Sequence, residues 1–186
     1  MNIPNILTSL RIFMIPILVA IYYLPWEGRY YTCAAVFAVA AWTDWLDGYL
    51  ARKLNQTTPF GAFFDPVADK LMVSVALVML VASYSDPLMT LAGAVIVGRE
   101  IVISALREWM AEMGKRASVA VSYIGKLKTA MQMLAIFILL GSPPGTMWSV
   151  FGLSVLVVAA LLTLWSMYIY LKAAWPDLVP KKADKK

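Results

Sequence analysis

The chain contains no histidine and a single cysteine, Cys33. The first absence excludes Ser-His-Asp and Cys-His catalysis and histidine-ligated zinc. The second excludes an internal disulfide and any thiolate cluster, and leaves Cys33, set in an apolar run, as a packing residue. Charge is scarce as well. Asp, Glu, Lys and Arg make up 15% of the 186 residues, while 61% are hydrophobic, and a soluble domain of this size carries considerably more charge. Acid–base or metal chemistry therefore falls mainly to carboxylates, and the chain has only 11 acidic residues to supply them.

What the chain has in abundance is apolar sequence in membrane-spanning lengths. About 20 apolar residues at ~1.5 Å per residue cross ~30 Å of hydrocarbon. Runs of that kind cover Ile6 to Leu24, Tyr30 to Leu50, Gly61 to Ser83, Leu88 to Leu106, Val119 to Leu140 and Met147 to Leu171. The breaks between them hold turn residues, such as Pro25-Trp26-Glu27-Gly28, Ser85-Asp86-Pro87 and Gly141-Ser142-Pro143-Pro144-Gly145. The pattern predicts an all-α, multi-pass membrane protein of about six transmembrane helices. Residues 1–180 form one transmembrane unit, and 181–186 form a basic, solvated tail. No soluble second domain, low-complexity linker or internal repeat interrupts it. The first run lacks a basic leader and a small-residue cleavage site, so it is expected to remain as the first span. Trp26, Trp109, Trp148 and Trp175 fall near helix ends, where interfacial anchors sit, and the scattered methionines read as packing.

Basic residues orient the chain. With a cytoplasmic N-terminus, the outward breaks hold only Arg29 among Lys and Arg. The inward segments hold Arg52, Lys53, Arg107, Lys115, Arg116, Lys172 and the tail lysines. That is the positive-inside pattern. A net charge of +5 is answered by anionic headgroups and calls for no nucleic acid.

Four of the acids cluster. Asp44 and Asp47 lie three apart near the inner end of the second run, and Asp65 and Asp69 lie four apart at the inner start of the third. Those spacings put each pair on one helical face. The short segment from Lys53 to Phe60 makes the two helices antiparallel neighbours, so the four carboxylates are expected to converge at one depth. Unneutralised, they would repel one another and cost several kcal/mol each to desolvate. A hard cation on oxygen ligands is the natural remedy, which points to magnesium or manganese and leaves room for two ions. Taken singly, each aspartate could be a helix cap, most readily Asp65 before Pro66. Gly48 and Gly61 beside the acids allow a bulky ligand to lie against the backbone, although close helix packing uses glycine in the same way. Thr58-Pro59 reads as an N-cap and a first helical residue, where a phosphate meets free N–H groups.

Asp44-Trp45-Leu46-Asp47-Gly48-Tyr49-Leu50-Ala51-Arg52, then Gly61, Asp65 and Asp69, has the form D-x2-D-G-x2-A-R-x8-G-x3-D-x3-D. This closely resembles the signature of the CDP-alcohol phosphotransferase family, with every position filled. The resemblance extends along the whole chain to the bacterial branch that makes phosphatidylglycerophosphate. It runs through Asn5-Ile6-Leu7-Thr8-Ser9-Leu10-Arg11 and from Arg99-Glu100 through Arg107-Glu108-Trp109 and Gly114-Lys115-Arg116 to Gly125-Lys126-Leu127-Lys128-Thr129. It implies a six-helix fold, a homodimer in the bacterial inner membrane and a site open to the cytoplasm. It also implies a reaction of CDP-diacylglycerol with an alcohol. Asp44, Asp47, Asp65 and Asp69 would bind the metals, with Asp69 also the base. Gly48, Arg52, Thr58 and Gly61 would contact the CDP moiety, and Arg11 is placed to reach the nucleotide with Asn5 and Thr8.

The remaining charges bear on the acceptor. Arg99 sits about 11 residues into the fourth run, Arg107 about two turns further, and Lys126 and Lys128 enter the fifth run from the same side. Together they suit an anionic acceptor, and glycerol 3-phosphate presents a phosphate to the cations and a primary hydroxyl to the diphosphate. The alternatives are that Arg99 pairs with Glu100 and that the lysines snorkel. Another phosphorylated alcohol, such as inositol phosphate, would satisfy the same cations. A cation-coupled transporter would also use carboxylates, but no repeat accompanies them and they sit near one face. A noncatalytic scaffold leaves them unexplained.

Overall fold

The computed structural model describes residues 3–53, 58–114 and 123–178. Six helices follow in order: α1 (Ile3–Tyr23), α2 (Arg29–Lys53), α3 (Pro59–Tyr84), α4 (Pro87–Glu112), α5 (Tyr123–Leu140) and α6 (Met147–Leu178). There is no strand among the described residues. Each apolar run corresponds to one helix, the fifth from Tyr123 onward among the described residues, and α4 and α6 continue past the runs by six and seven residues. Lys115, Arg116 and the tail 181–186 lie outside the described residues, as does the side chain of Arg52.

Local chemistry sets the helix ends. Thr58 caps α3 by accepting from the Gly61 N–H, with Pro59 in the first turn. Asp65 therefore lies well inside α3 and is no cap. Asp86 caps α4, its Oδ1 accepting from the N–H groups of Leu88 and Met89 at 2.8 and 3.1 Å. Just before it, Ser85 ends α3 in the left-handed conformation (φ 49°). Thr146 plays the capping part for α6 through the Ser149 N–H.

Four helices contain stretches long and apolar enough to cross a membrane: Asn5–Tyr23, Phe63–Tyr84, Pro87–Glu112 and Met147–Trp175. The other two, α2 and α5, carry Asp44, Asp47, Lys126 and Lys128 in place of apolar residues. Around the bundle Phe13, Phe63, Val78, Leu91 and Phe151 face outward, as lipid-facing side chains do. One half of the interior is apolar, with Leu18, Phe37, Leu77, Leu80, Met89, Ile96, Ile136, Leu139 and Leu156 closely packed. Gly152 lets α6 approach α5, since a Cβ there would stand 3.0 Å from Ile138 and Leu139.

The packing order departs from the sequence expectation in one respect. α2 and α3 were expected to meet face to face, but α1 packs extensively against both and they make little direct contact with each other. α5 and α6 form the other intimate pair, with α4 packed on α6 and α3 bridging the two groups. The N-terminal part of α1 thereby enters the space between the aspartates of α2 and α3.

Candidate active site

The buried charged residues, Arg11, Asp47, Arg99 and Lys128, collect at one end of the bundle, where α1, α3 and α5 begin and α2, α4 and α6 approach their ends. On its first side, Arg11 is 1% exposed, and its guanidinium joins two carboxylates of α2. Nη1 donates to Asp44 Oδ1 at 2.6 Å, and Nη2 donates to Asp47 Oδ2. Asp47 is buried and Asp44 half-buried. The Thr8 hydroxyl, also buried, donates to Asp65 Oδ1 on α3. Asn5 Oδ1 accepts from the Thr58 hydroxyl at 2.8 Å. A Cβ on Gly61 would stand 3.1 Å from Asn5 Oδ1, 3.3 Å from Thr58 Oγ1 and 3.7 Å from Asp65 Oδ2. Only glycine leaves that corner open. Asn5, Thr8, Arg11, Thr58, Gly61, Asp44, Asp47 and Asp65 are thus gathered on one side, with Gly48 next to Asp47 in α2.

The aspartates lie within electrostatic range of one another: Asp44 and Asp65 act on Asp47, and Asp44 and Arg11 act on Asp69. Among the described residues no three acids stand close enough together to hold a metal ion as they are placed. Arg11 occupies the space between two of them. The donor set nevertheless suits a hard cation. It is all oxygen, and one guanidinium meets only part of its charge. Neutralising the rest asks for further positive charge in the same small volume.

On the second side, a cavity of about 220 Å³ opens between α3, α4, α5 and α6. Asp69 lies on its wall with Lys70, Arg99, Glu100, Arg107 and Lys128. Asp69 is exposed, whereas Arg99 and Lys128 are 8% and 5% exposed. Arg99 Nη1 donates to Glu100 Oε1 at 2.5 Å, and Lys128 Nζ lies 3.7 Å from the same oxygen. Both the pairing of Arg99 with Glu100 and the basic cavity are therefore present. Arg99 Nε is buried with no partner among the described residues, so the guanidinium keeps a donor in reserve. Arg107, more exposed, donates to the Tyr170 hydroxyl at 3.2 Å. The guanidinium carbons of Arg107 and Arg99 lie 5.5 and 6.0 Å from the centre of the Tyr170 ring, within cation–π range. Lys126 does not join this cavity. It is exposed beside a shallower depression with Gly125 and Ala130, because two residues along a helix is about 200° of rotation from Lys128.

Several lining residues escaped the sequence reading: Lys70, whose ammonium donates to Ser104 Oγ at 2.5 Å, and Gln132, Ser166 and Tyr170. In α6 a signal existed. Thr163, Ser166 and Tyr170 are three and four apart in α6, which places them on one face. Lys70 gave no such signal, being next to Asp69 and about 100° round the helix from it.

An acid-rich corner thus meets a basic cavity at Asp69, in a bundle of largely apolar helices. Consistent with that geometry, residues 1–171 match the sequence model of the CDP-alcohol phosphatidyltransferase family, and the chain belongs to that family. Similar proteins include the CDP-diacylglycerol–glycerol-3-phosphate 3-phosphatidyltransferase of Pseudomonas fluorescens. It is 58% identical over 180 residues, covering 96% of this chain and 92% of the relative. Proteins of the same name from Pectobacterium atrosepticum and Escherichia coli K12 are 54% and 52% identical, each covering 96% of this chain and 97% of the relative.

Proposed function

We propose that the protein transfers the phosphatidyl group of CDP-diacylglycerol to sn-glycerol 3-phosphate, giving phosphatidylglycerophosphate and CMP. The observation that carries this reading is the shared wall of Asp69 with Arg99, Arg107 and Lys128 around one cavity. A phosphate seated on the cations is held by charge-assisted hydrogen bonds, leaving the acceptor's primary hydroxyl free to reach Asp69. Asp69 takes the proton as that oxygen attacks the phosphorus bearing the diacylglycerol. The new P–O bond forms as the bond from phosphorus to the CMP oxygen breaks, and CMP leaves with that electron pair. Lys126, outside the cavity, serves as an exposed cation near the entrance.

The CDP-lipid lies on the other side, against Asn5, Thr8, Arg11, Gly48, Arg52, Thr58 and Gly61. Asp44, Asp47, Asp65 and Asp69 suit two divalent ions, magnesium or manganese, which when bound supply neutralising charge to the diphosphate. The acyl chains remain in lipid, so only the headgroup has to enter. All six helices cross the bacterial inner membrane with the polar end toward the cytoplasm, consistent with the distribution of Lys and Arg. Residues 1–180 act as one catalytic unit, and two copies form a homodimer.

The test is incorporation of labelled glycerol 3-phosphate into lipid by purified, detergent-solubilised protein, with and without CDP-diacylglycerol and magnesium. Labelled lipid that requires both is the expected result. CMP release with a different alcohol, and none with glycerol 3-phosphate, would overturn the acceptor and retain the chemistry.

A further inference from the structure

Arg99 and Lys128 converge on a single oxygen of Glu100, and Glu100 lies on the wall of the cavity that has to receive an anion. A carboxylate is an odd companion for a phosphate, because like charges in a low-dielectric site repel strongly. Two accounts of it make opposite predictions. If Glu100 merely props the cations in place, removing its charge loosens them and weakens anion binding. If it competes with the ligand for them, removing its charge strengthens anion binding.

The charge inventory of the wall favours the second. Lys70, Arg99, Arg107 and Lys128 are its cations, and Asp69 and Glu100 its acids, leaving two formal positive charges. A phosphate monoester carries about −1.5 to −2 near pH 7, so it neutralises the cavity and a more highly charged anion overshoots. The two arginines also have support that does not depend on Glu100. Arg99 and Arg107 lie over the Tyr170 ring, and Arg107 donates to the Tyr170 hydroxyl.

We infer that Glu100 is a specificity-determining residue: a fixed counter-anion that holds Arg99 and Lys128 in the empty cavity, yields them to the incoming ligand, and sets the net charge that selects a phosphate monoester. This rests on the acceptor site proposed above. In that scheme Glu100 touches neither the attacking hydroxyl nor the phosphorus, and acts through Arg99 and Lys128.

The experiment measures binding of inorganic phosphate and of pyrophosphate to the full-length protein in detergent with EDTA, so that neither anion is held through a metal. Glu100→Gln keeps an oxygen acceptor for Arg99 and removes the charge. It is expected to bind phosphate about fivefold more tightly, and to raise the affinity ratio of pyrophosphate to phosphate by about tenfold, the order expected for one unit charge at close range. The double variant Glu100→Gln/Lys70→Gln again has two net positive charges on the wall, and its ratio is expected within about threefold of the parent. The double variant keeps the test open should the single one not fold. Phosphate affinity unchanged or weakened in folded Glu100→Gln overturns the inference, as does a double variant whose ratio stays displaced. Arg99→Gln separates the two levels of the argument. If it leaves phosphate binding intact, the acceptor site itself is wrong. If it weakens binding while Glu100→Gln does not strengthen it, only the role given to Glu100 fails.

Discussion

On the side of the polar end built by α1, α2 and the start of α3, Arg11 is buried between two carboxylates, Asp44 and Asp47. On the cavity wall shared by α3, α4, α5 and α6, cations outnumber carboxylates, and Glu100 sits among them against Arg99 and Lys128. In each half the ion of opposite sign meets only part of the charge around it. An isolated charge inside apolar surroundings is expensive, and a wholly paired one has nothing left for a ligand. Partial neutralisation meets both demands. It leaves one half short of positive charge, as a metal site requires, and the other short of negative charge, as a phosphate site requires. Asp69 lies where the halves join, on the cavity wall and within electrostatic range of Asp44, Arg11 and Glu100.

The largest expected effect is at that junction. Asp69→Asn removes the proposed base and a carboxylate shared by both halves, and turnover is expected to fall by roughly 10²–10⁴-fold, read as labelled glycerol 3-phosphate entering lipid. Folding, followed by thermal unfolding in detergent, is expected to persist, because Asp69 is exposed. A variant with near-parental turnover would break the comparison at its joint.

Arg11→Gln tests the acidic half. Asp44 and Asp47 then lose their guanidinium, and breaking a buried pair costs on the order of 3 kcal/mol. The unfolding temperature in EDTA is expected to drop by several degrees, and magnesium is expected to restore more stability to the variant than to the parent. Equal effects of magnesium on both would mean that Arg11 and a divalent ion do not answer the same charge.

Lys126 and Lys128 sharpen the other half by contrast. Lys128→Ala is expected to raise the acceptor KM about tenfold, the order of one charge-assisted hydrogen bond. Lys126→Ala, outside the cavity, is expected to change it less than about twofold. Similar effects from both would show that the lysines act through general surface charge.

The acidic half was the more legible in the sequence, and the reason is physical. Asp44 and Asp47, and Asp65 and Asp69, belong to pairs within single helices, so the 3.6-residue repeat alone aligns them. The glycine and hydroxyl signals beside them are equally local, and Thr58 indeed caps α3. What local spacing could not give was the third helix between the pairs. The approach of Arg11 and Thr8 depends on α1 packing against both α2 and α3. The basic half is assembled from four helices, and its four cations, Lys70, Arg99, Arg107 and Lys128, come from three of them with no two adjacent in sequence. There the sequence reading reached Arg99, Arg107 and Lys128 by counting depth along spans. It included Lys126 at the same depth because depth does not distinguish faces, and it passed over Tyr170 because one aromatic among several in α6 looks like packing or an interfacial anchor. Six apolar runs gave six helices, since length and hydrophobicity are themselves local properties.

The central claim is the division of labour between the halves, and the Michaelis constants of Arg99→Gln for both substrates test it most directly. A rise of about tenfold or more in the KM for glycerol 3-phosphate, with the KM for CDP-diacylglycerol within about twofold of the parent, is the predicted result. An unchanged acceptor KM, or an equal rise in both, would contradict it.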